Sequence, residues 1–154
     1  MVKFYFDLNG YSKHRVSDKI NKIKVIDRKK LQDGIDTFQK ELDWPHMWSV
    51  DDAQKRLDDG WWFYVIEIND KYVGWAWFDI LHNKFCNLYV HKDLRAGGLG
   101  KDLVYVRLNE CKERGIENVW MEVEEWNVPI QKIAQRIGWS PKVHYTFWTG
   151  GYDS

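Results

Sequence analysis

Apolar positions change period several times along the chain, and each change marks an element. Residues 2–7, VKFYFD, are β-branched or aromatic and partly alternate, which predicts a strand. Asn9-Gly10 follows as a turn signal of the hairpin kind. Residues 11–21 are polar and carry no clear period, and residues 23–26 predict a second short strand. Asp27 is placed to cap a helix in which Leu31, Ile35, Phe38 and Leu42 recur at i, i+4, i+7 and i+11 on one face. Gly34 weakens that helix by about 1 kcal/mol relative to alanine without breaking its pattern. Residues 43–48, DWPHMW, interrupt it, because Pro45 cannot continue a helix interior. Ser49 with Asp52 resembles a capping pair that opens a short helix carrying Ala53 and Leu57 and stopping at Gly60.

The second half reads more strongly. Residues 61–68 and 72–80 predict two strands joined by a turn at Asn69-Asp70-Lys71, and residues 82–84 turn into a third strand at 85–90. A helix then runs from near Gly98 to about Arg114. Val104, Leu108 and Cys111 form one of its stripes; Leu99, Leu103 and Val106 form another. Arg107 and Arg114 project between the stripes, which predicts a broadly buried helix with snorkelling arginine stems. Val119, Met121 and Val123 alternate with Trp120, Glu122 and Glu124 as a strand. Asn127 can cap the next helix, Pro129 suits its first turn, and Ile130, Ile133, Ala134 and Ile137 supply its apolar face up to Gly138. Residues 143–148 predict a last strand before a short tail. The strand–helix–strand crossover is right-handed and brings in a local parallel pair. The predicted class is therefore α/β with a mixed, mostly antiparallel sheet, as one domain over 1–154.

Composition narrows this picture. Lys+Arg and Asp+Glu number 23 each in 154 residues, so there is no excess positive charge for a nucleic-acid coat or a polybasic membrane binder. Cys86 and Cys111 sit in apolar periodic segments, with neither metal spacing nor a disulfide framework. The amino-terminal residues lack the apolar run of a signal peptide, and no stretch approaches 18 apolar residues. These features predict a soluble cytoplasmic protein, a monomer or homodimer, with no metal and no nucleic-acid or membrane partner. Ten tryptophans serve equally for a core or for the wall of a ligand cleft.

The candidate chemistry lies in residues 89–101, YVHKDLRAGGLGK. Here Gly97, Gly98 and Gly100 join an apolar strand to a helix start, flanked by Arg95 and Lys101. Glycine allows a close backbone approach, and a helix start offers unpaired N–H groups and the positive end of a dipole. This is an anion-binding arrangement suited to a phosphate. A glycine-rich connection that binds nothing has the same residues.

The turn resembles the acetyl-CoA-binding motif of the GNAT superfamily of N-acetyltransferases. That motif is an apolar strand ending in Val, then Arg or Gln, two variable residues, Gly, one variable residue, and Gly or Ala. Val90, Arg95, Gly98 and Gly100 match it, with Lys92 where proline is usual. Residues 70–74, DKYVG, resemble the start of the family's third strand. Residues 123–127 with Ile130, Gly138 and Trp139 resemble its later strand-to-helix segment. The likeness covers about residues 23–148.

The resemblance implies acetyl-CoA as cosubstrate, its pyrophosphate held by the backbone of Arg95, Ala96, Gly97, Gly98, Leu99, Gly100 and Lys101. It implies a pantetheine arm pairing with Leu88, Tyr89 and Val90 in a gap between two splayed strands. Asn127 occupies a cofactor position, although capping its helix explains it equally. An amine would attack the thioester directly. The usual general-acid tyrosine falls at Ala134, which cannot donate a proton. Tyr145, His144, Tyr89 and Glu122 are the remaining candidates, with Glu122 as base relay and Tyr145 as acid. Trp44, His46, Trp48 and Glu124 are candidate acceptor-wall residues for a small-molecule or peptide amine. A GNAT-like domain that binds CoA or a partner without catalysis, and an aromatic recognition module whose tryptophan loop binds a ligand, are the alternatives.

Overall fold

The computed structural model describes residues 1–42, 47–145 and 152–153, the side chains of 143–145 and 152–153 excepted. Its elements are β1 (Val2–Asp7), β2 (Ile20–Ile23), α1 (Arg28–Leu42), α2 (Val50–Asp58), β3 (Trp62–Ile68), β4 (Lys71–Asp79), β5 (Lys84–Val90), α3 (Leu99–Glu113), β6 (Asn118–Val123), α4 (Val128–Ile137), β7 (Ser140–Tyr145) and β8 (Tyr152–Asp153). A 3-10 segment, Lys92–Gly97, links β5 to α3. The strands form one mixed sheet in the order β2-β3-β4-β5-β6-β1-β7-β8.

Local signals set most of the boundaries. Ser49 and Asp52 form a reciprocal capping box on α2. Asp27 accepts from the Lys30 N–H and opens α1. Asn69 and Asp70 take positive φ in the β3–β4 turn, the geometry that a tight hairpin needs.

Three expectations need correction. The second strand ends where it was predicted to begin, at Ile23, because Ile20 to Ile23 are the residues in register with Phe63 to Ile66 of β3. Asn9-Gly10 does turn the chain, but it makes no hairpin between β1 and β2. Instead β1 lies antiparallel between β6 and β7, pairing Val2 with both Val123 and Val143. The last strand starts at Ser140, and Pro141 is accommodated because β7 has a neighbour on one side only at that point.

The sheet separates two apolar layers. On one face α3 and α4 pack over Phe4, Trp62, Phe78, Phe85, Val90, Met121 and Val123. On the other, α1 and α2 pack over Phe63, Val65, Trp75, Trp77 and Tyr89. A Cβ on Gly34 would lie 3.1 Å from the Tyr72 carbonyl, so glycine is what lets α1 approach β4 this closely. Among the described residues, no helix is long and apolar enough to cross a membrane.

Candidate active site

The site begins as an irregularity in β5. Trp77 pairs with Cys86 and Trp75 with Tyr89, so Asn87 and Leu88 together face the single residue Ala76. This is a β-bulge, and Asn87 adopts φ 49° to make it. Arg56 of α2 reaches across and donates to Asn87 Oδ1 at 2.9 Å. A Cβ on the neighbouring Gly74 would lie 2.7 Å from the Tyr89 carbonyl, so no side chain fits there.

The bulge turns β5 away from β6. Their parallel pairing stops after Lys84 with Trp120 and Phe85 with Met121. Beyond those pairs a cleft of about 530 Å³ opens between the strands, roofed by α3 and α4. Cys86 to Val90 form one wall, Met121 to Glu124 the other, and Gly100, Val104, Ile130 and Ala134 the roof.

At the mouth stands the glycine turn. Gly98 is the N-cap of α3 at φ 78°, and no side chain caps the helix. Its first N–H groups therefore lack both intrahelical and side-chain partners. A Cβ on Gly97 or Gly98 would meet nothing within 4 Å, so the space over the turn is open. At Gly100 a Cβ would touch Ile133 and Val90 at 3.5 and 3.6 Å, inside the cleft. A phosphate-bearing ligand fits this combination of open space, unpaired donors and a helix dipole.

Arg95, which flanks the turn, is tethered on two sides. Its Nε donates to the Val90 carbonyl at 3.0 Å, and its guanidinium is ion-paired with Glu41. Glu41, 6% exposed, also accepts from the Tyr89 hydroxyl at 2.7 Å. Burial and this carboxylate raise the Tyr89 pKa, which keeps the phenol protonated. The trio ties the end of α1 to the start of the turn.

The other predicted residues divide. Leu88, Tyr89, Val90, Arg95, Gly100, Glu122, Glu124 and Asn127 line the cleft. Asn127 Oδ1 also accepts from the Ile130 N–H at 3.4 Å, so it caps α4 as well. Gly97 and Leu99 face a second recess beside the turn. Glu122 bonds Lys84 at 2.7 Å. Trp48 is 8% exposed and folds onto Phe63, Trp75 and Trp77, with one edge left to the cleft. Trp44 and His46 lie outside the described residues, as do the side chains of His144 and Tyr145. By register the Tyr145 backbone lies two residues past Val143, which is level with Val2 and Val123. One strand, β1, stands between it and the cleft wall on β6, roughly 10 Å of sheet.

The lining residues that sequence reading missed include three with distinctive chemistry, Trp126, Cys86 and Arg107. Trp126 stands at the mouth, 65% exposed. Cys86 lines the wall, and burial raises its pKa, so it is a neutral thiol and a poor nucleophile. Arg107 was expected to snorkel, yet it is 1% exposed and sits beside Phe85 in the cleft roof. Among the described residues there is no cluster able to hold a metal ion.

Comparison with known proteins fits this geometry. The fold resembles an aminoglycoside acetyltransferase from an uncultured soil metagenomic sample, solved with sisomicin, at TM-score 0.65 and 19% identity over 84% of this chain and 94% of that one. It resembles AAC(6')-Iy, solved with the bisubstrate analogue CoA-S-monomethyl-acetylneamine, at TM-score 0.65 and 17% identity over 84% and 95%. A mycothiol acetyltransferase of Thermomonospora curvata is 22% identical over 100 residues, 60% of this chain. The match spans about a third of that relative's length, 34%. The acetyltransferase (GNAT) family pattern matches residues 31–139, from the first helix through the bulge, the glycine turn and α4. The chain belongs to the GNAT acetyltransferase family.

Proposed function

We propose that this protein transfers an acetyl group from acetyl-CoA to a primary amine, which attacks the thioester directly while both substrates are held. One observation carries the reading: the uncapped N-terminus of α3 and the gap between β5 and β6 meet at Val90 and Gly100. In this reading the N–H groups of residues 95–101 hold the pyrophosphate and the backbone of Leu88 to Val90 pairs with the pantetheine arm. Asn127 closes the cofactor site. The amine lone pair forms the new C–N bond, the C–S bond breaks toward sulfur, the amine loses one proton and the thiolate gains one.

Glu122 supports the base side, because its position on β6 alternates with Met121 and Val123, which face α3 and α4. It is the proposed relay that takes the amine proton to solvent. Tyr145 is the proposed acid. A CoA thiolate is a good enough leaving group that the acid has the smaller share. The acceptor then enters from the α1/α2 side, past Trp48 and Glu124, and Trp44 and His46 are further proposed acceptor contacts.

Calorimetry with acetyl-CoA tests the cradle, and CoA release over an amine panel tests the transfer. Gly97→Glu is the clean variant, since Gly98 has φ 78° and any side chain there is strained. It is expected to weaken acetyl-CoA binding at least tenfold with little change in melting temperature. Unchanged affinity would reject the cradle. Glu122→Gln is expected to lower kcat on a working amine by about 10². A double variant with Tyr145→Phe that keeps full turnover would remove both roles.

A further inference from the structure

The centre of α3 holds a charge that the reaction proposed above does not use. Arg107 is 1% exposed, and no carboxylate of the described residues lies within ion-pairing distance of it. Its Nε donates to the Leu103 carbonyl at 2.9 Å and Nη1 to the Trp77 carbonyl at 3.0 Å. Its Cζ lies 4.3 Å from the Phe85 ring centroid. Those contacts use Nε and Nη1 and leave Nη2. The only sealed and unpartnered side-chain polar atoms among the described residues are Trp77 Nε1 and Trp139 Nε1. Nη2 of Arg107 has no partner and is not sealed, so it opens on the cleft.

Burying a guanidinium without an acid costs several kcal/mol, and clamping α3 to β4 does not require a charge. Burial pushes the Arg107 pKa down to about 10, so it remains a cation at neutral pH. Its place in the cleft says what that cation meets. Gly100, Val104 and Arg107 line the same roof at i, i+4 and i+7. Arg107 therefore sits about 10 Å along the helix from the phosphate cradle, at the closed end where β5 and β6 still pair. Around it are Phe85, Val104 and Met121, which are apolar. Glu122, the acidic wall residue, belongs to the opposite face.

We propose that Arg107 is a donor-specificity residue that binds a carboxylate at the far end of the acyl group, so that the preferred donor is a dicarboxylic monothioester of CoA. A planar guanidinium with free N–H groups in an apolar pocket selects a carboxylate over a methyl group. This rests on the reading of the cleft as a CoA site. The transfer is otherwise the same: C–N forms, C–S breaks, one proton leaves the amine and one reaches the thiolate. The distal carboxylate does not react and ends on the amide product.

The test is calorimetric, on the full chain without acceptor, using CoA, acetyl-CoA, malonyl-CoA and succinyl-CoA. Malonyl- or succinyl-CoA is expected to bind at least tenfold tighter than acetyl-CoA, with Arg107→Met bringing that ratio to near one and Arg107→Lys restoring part of it. If CoA and acetyl-CoA fail to bind, the CoA reading itself falls. If they bind and wild type shows no preference for either dicarboxylic thioester, the role of Arg107 is overturned, and that result needs no variant to fold. Tight binding of free succinate to the acetyl-CoA complex, with Arg107→Met abolishing it, would put the carboxylate on the acceptor and also overturn the proposal.

Discussion

Glu110 illustrates how much one side chain of this fold holds together. It is 15% exposed on α3 and receives Lys22 from β2, Arg114 from its own helix and the hydroxyl of Tyr64 from β3. Burial raises its pKa, but the bonds from Lys22, Tyr64 and Arg114 outweigh burial and leave it below the ordinary 4.5. A carboxylate depressed in the folded state contributes stability that is present above its unfolded pKa and is lost as pH falls through the folded one. Glu110→Gln is therefore expected to destabilise at pH 7 by about 1–3 kcal/mol. The loss should shrink below about pH 4.5 in denaturant titrations run against pH. A constant difference down to pH 3 would show that the charge contributes nothing. Residue-scale features of this kind were partly legible. The glycine spacing of the turn is local chemistry and could be read directly. Arg107 could not, because helical periodicity places it between two stripes without saying that sheet and cleft cover both.

Among the elements, β1 pairs along both of its edges with strands from the far end of the chain. It fills the space between β6 and β7, and Phe4 and Leu8 of this segment are fully buried. Removing residues 1–8 leaves two strand edges unpaired and a hole in the layer beneath α4. The truncated chain is expected to lose its cooperative thermal transition and to aggregate, as read by circular dichroism and light scattering. A cooperative, soluble truncation would mean that β6 and β7 close on each other without β1. Residues 2–7 announce a strand by composition, but they do not announce its neighbours. Pairing with residues 118–123 and 140–143 spans more than a hundred positions and leaves no local mark. The bulge at Asn87 is similar: it exists only as an offset between two strands, and an asparagine in an apolar run is its sole trace.

The whole molecule is one sheet with a different task on each face. The α3/α4 face presents the glycine turn and the cleft roof, while the α1/α2 face carries Trp48, Trp75 and Trp77, packed edge to face. Glu41 joins them by holding both Tyr89 and Arg95. A ligand bridging β5, β6 and α3 should therefore stabilise the fold as a unit. Acetyl-CoA at a hundredfold excess over its Kd is expected to add about 2.7 kcal/mol, or roughly 5–10 °C in melting temperature for a domain of this size. A second, unshifted transition would show that the two faces unfold separately. From the sequence by itself came the element order, the family likeness and the glycine turn, because propensity, capping and motif spacing act within a few residues. Where β1 inserts, how the bulge parts β5 from β6, why Arg95 is tethered and why Arg107 is buried were decided only by the tertiary structure. Each depends on surfaces from distant parts of the chain meeting, and a local pattern carries no record of that.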